Sequence, residues 1–258
     1  MIIGVTGSTK VGKTTFIKDF NEKFPRYGQP VESYRDIPNL DLYENGTEKS
    51  QKLIRDFMFK QAQGLWQKRD TNRRVIVDRT LLDNLAATMF LYSKGDGRIS
   101  DSFLAESIEI TKRSMEYYHM IYFIPIDDKD GIEVPEDIDD DFRRGFDIIL
   151  NTFYMEYSTQ GPLAETLFPA EKCAFLDEVT GSREARIEFV SEILDENGDQ
   201  RGGESEDLID GNALNAIVGA DGLPTSSTEQ EFDLEDFGYQ TEKMVLGEDS
   251  LDSMNINV

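Results

Sequence analysis

The sequence predicts an α/β fold in which five parallel strands form one sheet with helices on both faces, followed by a disordered acidic tail. Short apolar runs alternate along the chain with longer segments whose apolar residues recur at helical spacing, which is typical of a parallel sheet. The composition then changes near residue 196, and no sustained period follows. We therefore expect a folded domain over residues 1–195 and a tail over 196–258.

The first strand and the first helix enclose a glycine-rich loop. The apolar residues 2–5 lead into the sequence GSTKVGKT at 7–14, and the segment behind it has apolar residues at helical spacing. The loop matches G-x-x-x-x-G-K-[ST], the Walker A pattern of phosphate-binding loops. Its glycines allow consecutive amides to turn around a phosphate at a helix N-terminus. The pattern predicts a P-loop NTPase fold that binds ATP.

Each residue type in this loop has a chemical role. Lys13 supplies a mobile positive charge for the β- and γ-phosphates, and the hydroxyl of Thr14 can ligate Mg²⁺. The predicted nucleotide-binding residues are Gly7, Ser8, Thr9, Lys10, Val11, Gly12, Lys13, Thr14 and Thr15.

The next two segments contain candidate contacts to a substrate. Residues 30–34 are predicted to form the second strand, and strands of such sheets present their carboxyl ends to the ligand. Glu32 and Arg35 are therefore candidate substrate-binding residues, with a solvated loop as the alternative. A helix is predicted over 48–69. Gln61 lies on its otherwise apolar stripe, where it either faces a substrate cleft or hydrogen-bonds inside the fold.

The third strand ends in an acidic residue. Residues 75–77 form an apolar run with Asp78 at its carboxyl end, Arg79 follows at once, and a helical stripe covers 82–90. A carboxylate at this position can hold Mg²⁺, directly or through water. Many strands end in Asp, so the value of this pattern comes from its pairing with the glycine loop.

The remaining segments complete the alternation of strands and helices. Helices are predicted over 100–118, 142–157 and 182–194, and strands over 120–126 and 173–176. The segment 127–141, after the fourth strand, holds nine acids and one lysine. Cys173 is expected to be a buried structural thiol, and His119 is not expected to be catalytic.

Charge and composition limit the partners and the compartment. A net charge of −24 and a pI near 4.3 disfavour binding to nucleic acid or to an anionic membrane. We expect a cytoplasmic protein with no membrane partner, because the sequence shows neither a transmembrane segment nor a signal peptide. The tail has 16 acids against two bases. Its patches at 208–218 and 232–239 are candidate binding segments for a protein partner.

Three features together resemble the P-loop nucleoside and nucleotide kinases. These are the glycine loop near the N-terminus, the Asp-Arg pair at 78–79 and an arginine-bearing segment after the fourth strand. Thymidylate kinases carry a similar Asp-Arg pair, deoxynucleoside kinases have Glu-Arg there, and nicotinamide riboside kinase-like domains resemble the layout of 73–158. The resemblance covers about residues 1–195. It implies transfer of the γ-phosphoryl of MgATP to a small-molecule acceptor in nucleotide metabolism.

The resemblance also implies roles for individual residues. Asp78 would activate the acceptor hydroxyl or hold the metal through water, and Arg79 would hold the acceptor or the transferred phosphoryl. Two arginines would close as a lid over the γ-phosphate, although the acids crowded nearby are a departure from the family's pattern. The implied catalytic residues are Lys13, Asp78, Arg79, Arg143 and Arg144, and the implied metal ligands are Thr14 and Asp78.

Two alternatives and several general properties stay open. A kinase acting on a modified base or an end within DNA, of bacteriophage type, would use a basic cluster at Lys60, Lys68, Arg69, Arg73 and Arg74. A P-loop ATPase or a nucleotide-gated binding protein would work through the acidic tail. A homodimer is compatible with the sequence, and a bacteriophage source would place the protein in the host cytoplasm.

Overall fold

In the computed structural model, the residues described are 1–30, 33–38, 40, 43–44, 46–68, 74–127, 132–136, 138–169 and 175–201. Glu32, Cys173, part of the acidic segment 127–141 and the tail beyond Arg201 lie outside them. The described strands form one five-stranded sheet in the order β2-β3-β1-β4-β5, and all four pairings are parallel. The predicted α/β class is therefore confirmed.

The elements follow the predicted alternation. The strands are β1 (Ile2–Gly7), β2 (Tyr27–Gly28), β3 (Arg74–Asp78), β4 (Met120–Ile124) and β5 (Phe175–Glu178). The helices are α1 (Lys13–Lys23), α2 (Glu48–Gln67), α3 (Leu81–Ser93), α4 (Asp101–Ser114), α5 (Asp140–Thr159), α6 (Pro162–Leu167) and α7 (Arg183–Ile193). Within the described ranges, no helix combines the length and the apolar character needed to cross a membrane.

The second strand lies earlier in the chain than predicted. It is Tyr27–Gly28, which pairs with β3, whereas the sequence predicts a strand at 30–34. Tyr34–Asp36 instead form a 3₁₀ turn, in which Ser33 and Asp36 cap each other through a capping box. Such local bonds between side chains and backbone compete with strand pairing, which explains the difference. The short helix α6, with a proline at its first position, is also absent from the sequence-based prediction.

The strands bury side chains on both faces of the sheet, because successive residues of a strand point to opposite sides. One face packs against α1 and α7 through Ile3, Val5, Ile76, Met120 and Tyr122, which join Phe16, Phe20 and Val190 in one core cluster. The other face packs against α2–α6 through Ile2, Val75, Val77, Ile121 and Phe123, which join Leu85, Phe103 and Phe153 in a second cluster. The sheet is thus covered on both faces, as predicted.

The chain order around β1 creates the place where a ligand can bind. From β1 the chain reaches its neighbour β3 on one side and β4 on the other, so the order of strands reverses at β1. Ligands of open parallel sheets bind at such a point, outside the carboxyl ends of the strands. Asp78 lies opposite Val5, and Ile124 lies opposite Gly7. The glycine loop and the Asp-Arg pair therefore meet at one edge of the sheet.

Folded structure continues past the predicted boundary at residue 195. Leu194 and Gln200 form an antiparallel bridge, and the hydroxyl of Tyr27 donates to the carbonyl of Gly198 at 2.7 Å. Arg74, part of the predicted basic cluster, forms an ion pair with Asp199. The start of the acidic region, as far as Arg201, thus packs against the β2 edge of the sheet. The division between a domain and an acidic tail stays a prediction beyond that residue.

Candidate functional site

The glycine loop joins β1 to α1 through backbone conformations that favour glycine. Gly7 has a φ of +149°, and Gly12, the residue before the first turn of α1, has a φ of +88°. A Cβ atom on Gly7 would lie 2.3 Å from the carbonyl oxygen of Ile124 in β4. Because that oxygen belongs to the sheet, it cannot move aside. The loop therefore needs glycine at both positions, for different reasons.

Lys13, the first residue of α1, folds its side chain back over the loop. It is only 6% exposed, and its Nζ donates to the carbonyls of Gly7 at 2.8 Å and Ser8 at 2.5 Å. Burial is the main cause that lowers the pKa of the amine to about 7, and the charge of Arg79 lowers it further while Asp83 opposes this. A phosphate in the loop would favour the charged amine. The loop thus holds this amine in a poorly solvated place.

We expect nucleotide binding to take up a proton above pH 7. In the nucleotide-free protein the pKa of Lys13 is about 7, and a bound triphosphate would raise this pKa toward its ordinary value of 10.5. The bound state then holds more protons than the free state across that window, so affinity falls as the pH rises through it. Calorimetric titration with MgATP at about pH 8.5, in buffers of different ionisation enthalpy, should show uptake approaching about one proton.

Two variants separate this effect from other ionisations. Lys18→Met, which removes an exposed lysine of the same helix, should keep the proton uptake. Lys13→Met should lose the proton uptake. This variant would bind the nucleotide more weakly, through the loop amides alone, and it has no amine to protonate. Uptake that is equal in Lys13→Met and the wild type would show that another group titrates.

The end of β3 places Arg79 over the start of the loop. Arg79 has a φ of +75°, a left-handed conformation that costs a non-glycine residue roughly 1–2 kcal/mol. The main-chain N–H of Arg79 donates to the carbonyl of Val5 at 2.8 Å, which extends the pairing of β3 with β1 by one residue. Its guanidinium, largely buried, donates to the carboxylate of Asp83 at 3.0 Å and approaches the carbonyl of Gly7 at 3.5 Å. The strained backbone thus turns the guanidinium toward the loop.

Two buried polar atoms beside the loop have no hydrogen-bond partner within the described part of the chain. They are Oδ1 of Asp78 and Nε of Arg79. Because buried polar groups are almost always bonded, orphans at a candidate site mark a place for a ligand or an ion. The carboxylate of Asp78 and the exposed hydroxyl of Thr14 are hard oxygen donors of the kind that Mg²⁺ prefers. These residues therefore fit the predicted metal.

Asp83 is a site residue that our sequence analysis missed. This carboxylate is only 3% exposed. Its Oδ1 accepts from Arg79 and from the N–H of Gly7 at 3.3 Å, and its Oδ2 accepts from the hydroxyl of Thr6 at 2.7 Å and the N–H of Thr80 at 2.8 Å. The available signal was the Thr-x-x-Asp spacing, since Thr80 and Asp83 form the capping box of α3. Asp83 fastens Arg79 to the start of the loop.

The turn at Tyr34–Asp36 lies beside Arg79. The ring centroid of Tyr34 lies 5.9 Å from the guanidinium carbon of Arg79 and 5.1 Å from that of Arg35. The positive charge of the exposed Arg35 is the smallest of the causes that lower the pKa of Lys13. Gln61 is half-buried on α2 and has a partner of its own, but it is not among the described contacts of the loop.

The two arginines at the start of α5 differ in their surroundings. Nε of Arg143, which is 5% exposed, donates to the carbonyl of Thr9 at 2.9 Å. Arg144 is half-exposed, and its Nε donates to Asp140 at 2.8 Å. Both line a cavity of about 430 Å³, together with Lys10 of the loop and residues of the acidic segment. Arg143 is thus held on the loop itself, and the role of either residue in a lid stays a prediction.

Asp147 of α5 is a half-buried carboxyl group one turn after Arg143. Burial raises its pKa to about 6, while the charges of Arg143 and Lys13 oppose the shift. One of its oxygens accepts from the N–H of Ile126 at 3.1 Å, just after β4. Asp147 therefore ties α5 to the chain that leaves the sheet beside the loop.

Comparison with known proteins identifies the fold. No protein-family model matches the chain, and no curated protein matches it. Among solved structures, deoxyadenosine kinase from M. mycoides is similar, with 15% identity, 74% of this chain and 97% of that chain covered, and a TM-score of 0.51. Thymidylate kinase from Candida albicans gives 13% identity, coverage of 77% and 93%, and a TM-score of 0.48.

The NadR protein in complex with NR gives 13% identity, coverage of 74% of this chain and 50% of that chain, and a TM-score of 0.48. The match to deoxyadenosine kinase supports a shared fold, since its TM-score exceeds 0.5 and it spans nearly that whole protein. The chain therefore has a fold like that of the P-loop nucleoside and nucleotide kinases, as the sequence resemblance predicts.

Proposed function

We propose that this protein is an ATP-dependent phosphotransferase that moves the γ-phosphoryl of MgATP to a nucleoside, a nucleotide or a related small molecule. The observation that supports this most is the placement of Asp78 and Arg79 beside the glycine loop, with their unpartnered polar atoms. Hydrolysis needs a phosphate-binding loop, a metal ion and water. Transfer also needs groups that hold an acceptor at the γ-phosphate, and in this proposal Asp78 and Arg79 are those groups.

In the proposed reaction, an acceptor oxygen bonds to the γ-phosphorus while the bond to the bridging oxygen breaks and ADP leaves. The loop amides and Lys13 hold the phosphates, and Thr14 with Asp78 would hold Mg²⁺, which neutralises phosphate charge. Asp78 either receives the proton of the acceptor hydroxyl or holds the metal through water, in which case the proton leaves to solvent. Nε of Arg79 is a free donor for the acceptor or the transferred phosphoryl. Positioning and positive charge suffice for this chemistry.

The side chains beside Arg79 suggest a class of acceptor. An aromatic ring and two guanidinium groups, from Tyr34, Arg35 and Arg79, suit a flat ring that carries polar substituents or a phosphate. Solved structures of the similar deoxyadenosine kinase contain dCMP, dCTP or dATP. We therefore propose deoxynucleosides and their monophosphates as the first acceptors to test.

The direct test is transfer of labelled γ-phosphate from ATP to a panel of acceptors. The panel contains nucleosides, deoxynucleosides, their monophosphates, nicotinamide riboside and hydroxymethylated DNA. We expect label on one small-molecule class. Label that appears only as inorganic phosphate, whatever the acceptor, would contradict the proposal and favour an ATPase. Label on the DNA alone would favour the nucleic-acid kinase.

Arg79→Ala should impair use of the acceptor far more than binding of ATP. We expect kcat/KM for the acceptor to fall about a hundredfold or more, because a charged donor at the transferred group is lost. The Kd for MgATP should change less than about threefold, since the loop amides and Lys13 remain. Arg98→Ala, which removes an exposed arginine paired with Asp96, is the matched control. Equal losses in the two quantities would refute the assigned role.

A further inference from the structure

Two buried arginines bind the glycine loop from opposite faces of the sheet. Arg143 comes from α5 on one face, and its Nε donates to the carbonyl of Thr9 at 2.9 Å. Arg186 comes from α7 on the other face, and its NH1 donates to the carbonyl of Val11 at 2.9 Å. Each arginine is 5% exposed. These two bonds hold alternate carbonyls of the loop.

The positions of these carbonyls determine where two amides point. A trans peptide is planar, so its C=O and its N–H point in opposite directions. The carbonyl of Thr9 shares a peptide with the N–H of Lys10, and the carbonyl of Val11 shares one with the N–H of Gly12. Holding each oxygen on a guanidinium group therefore directs each amide away from the arginine that binds its own peptide. Amides whose directions are fixed before binding are what an anion-binding loop requires.

The backbone between the two bonds needs this support. Lys10 has a φ of +58°, a left-handed conformation for a residue with a side chain, and it lies between the two held carbonyls. Such a conformation is unfavourable for a residue with a Cβ atom and persists where neighbouring contacts enforce it. The hydroxyl of Ser8 adds a third contact by donating to the main-chain carbonyl of Arg143 at 2.7 Å. The strained part of the loop is thus fastened on both sides.

Arg186 also connects the loop to the chain that follows β5. Its Nε donates to the carbonyl of Gly181 at 2.9 Å, and Gly181 itself has a φ of +85°. A Cβ atom on Gly12 would lie 3.0 Å from NH1 of Arg186, so the guanidinium lies directly against the loop. The planar group, with donors in a fixed fork, spans the two carbonyls of Gly181 and Val11 in a way that a single amine cannot match.

We propose that Arg143 and Arg186 are positioning residues that hold the loop in its anion-binding shape before a nucleotide arrives. The identity of the anion rests on the proposed function, whereas the fastening rests on the contacts alone. Arg186 touches neither the acceptor side nor the Asp-Arg pair in the described contacts, so its effect should appear in ATP affinity. Arg143 gains a role distinct from the lid arginine that the sequence predicts.

Hydrogen exchange of the loop amides in the nucleotide-free protein tests the fastening without any ligand. In Arg186→Met we expect exchange to rise about tenfold or more in a peptide that covers residues 8–12, while β1 and β4 keep their protection. The matched control is Arg183→Met, because Arg183 lies on the same helix but pairs with Asp19 on α1. Its loop exchange should equal that of the wild type. Equal loop exchange in Arg186→Met and Arg183→Met would overturn the proposal.

Nucleotide affinity provides the second readout. Arg186→Met should raise the Kd and the KM for MgATP about tenfold while kcat changes less than about threefold, and Arg186→Lys should lie between Met and wild type. If Arg186→Met does not fold, Arg186→Lys decides, and wild-type exchange and affinity in that variant would overturn the proposal. If the wild type bound no ATP, the proposed function would be refuted. The hydrogen-exchange comparison would still test whether Arg186 holds the loop.

Discussion

Lys13→Met should abolish phosphoryl transfer, with a loss of at least about a thousandfold in kcat. In the proposed mechanism, Lys13 is the loop residue whose positive charge stabilises the β- and γ-phosphates. In the structure, Nζ of Lys13 donates hydrogen bonds to the carbonyls of Gly7 and Ser8. A triphosphate offers this amine a stronger, charged partner. Met has a similar length and shape but no charge, so the variant tests the charge alone.

The same substitution should leave the folded state about as stable as the wild type. It removes two hydrogen bonds to carbonyls, each worth about 1 kcal/mol, but it also removes the cost of burying an amine. In the wild type, the pKa of this amine is about 7 when folded and near 10.5 when unfolded. Between those values the unfolded chain binds the extra proton, so this group makes wild-type stability rise with pH. Lys13→Met should lack that contribution.

Thermal unfolding at about pH 7 and pH 9 checks the stability, and single-turnover transfer checks the chemistry. Lys18→Met is the control, since Lys18 is 72% exposed on the same helix and pairs with Glu22 rather than with the loop. It should leave both quantities unchanged. A Lys13→Met protein that transfers phosphoryl within tenfold of the wild-type rate would remove Lys13 from the mechanism, whereas one that is unfolded would contradict the stability argument.

The features that the sequence predicts are those with a local signal. The loop at 7–14, the run that ends in Asp78 and the helical stripes each depend on neighbouring residues, and each appears at its predicted place. The strand at Tyr27–Gly28 could not be predicted in this way. It is only two residues long, and its pairing with β3 comes from the tertiary fold. Local capping by Ser33 places Tyr34, the last residue of the predicted strand at 30–34, in a 3₁₀ turn.

Residues that act at a distance in sequence were missed for a different reason. Asp83 looks like an ordinary helix cap, and Arg186 looks like one of several charges on an amphipathic helix. Their partners, Gly7 and Val11, are separated from them by 76 and 175 residues. No spacing rule connects such pairs. Only the meeting of β1, β3, α5 and α7 at one edge of the sheet reveals them, and the same meeting gives Arg143 a contact with the loop that its predicted role in a lid does not include.

Asp83→Asn should damage both stability and transfer, although it changes a single oxygen to an amide nitrogen. All four groups that contact the carboxylate are donors: two backbone N–H groups, the hydroxyl of Thr6 and the guanidinium of Arg79. Whichever way the amide of Asn turns, its NH₂ group faces two of these donors. We expect a loss of roughly 2–4 kcal/mol in the free energy of unfolding, since buried donors lose their acceptor and Arg79 loses its charge partner.

The effect on transfer should exceed the effect of partial unfolding. Arg79 is held in a strained backbone conformation, and its guanidinium is fixed by Asp83, so a neutral amide leaves it free to move. We expect kcat to fall about a hundredfold at temperatures where the variant is fully folded, with a smaller change in ATP affinity. Urea unfolding and steady-state kinetics on the same preparation measure the two losses separately.

Two controls make this assignment specific to the carboxylate's position. Asp101→Asn changes an exposed carboxylate in the first turn of α4, where it accepts from the hydroxyl of Tyr92 at 3.0 Å, and should be nearly neutral. Thr6→Val removes one of the four donors while leaving the charge pair with Arg79 intact. It should cost stability but preserve kcat. Asp83 would be a structural cap alone if Asp83→Asn and Thr6→Val lost stability equally and both kept wild-type kcat, because Arg79 would then hold its position without a charged partner.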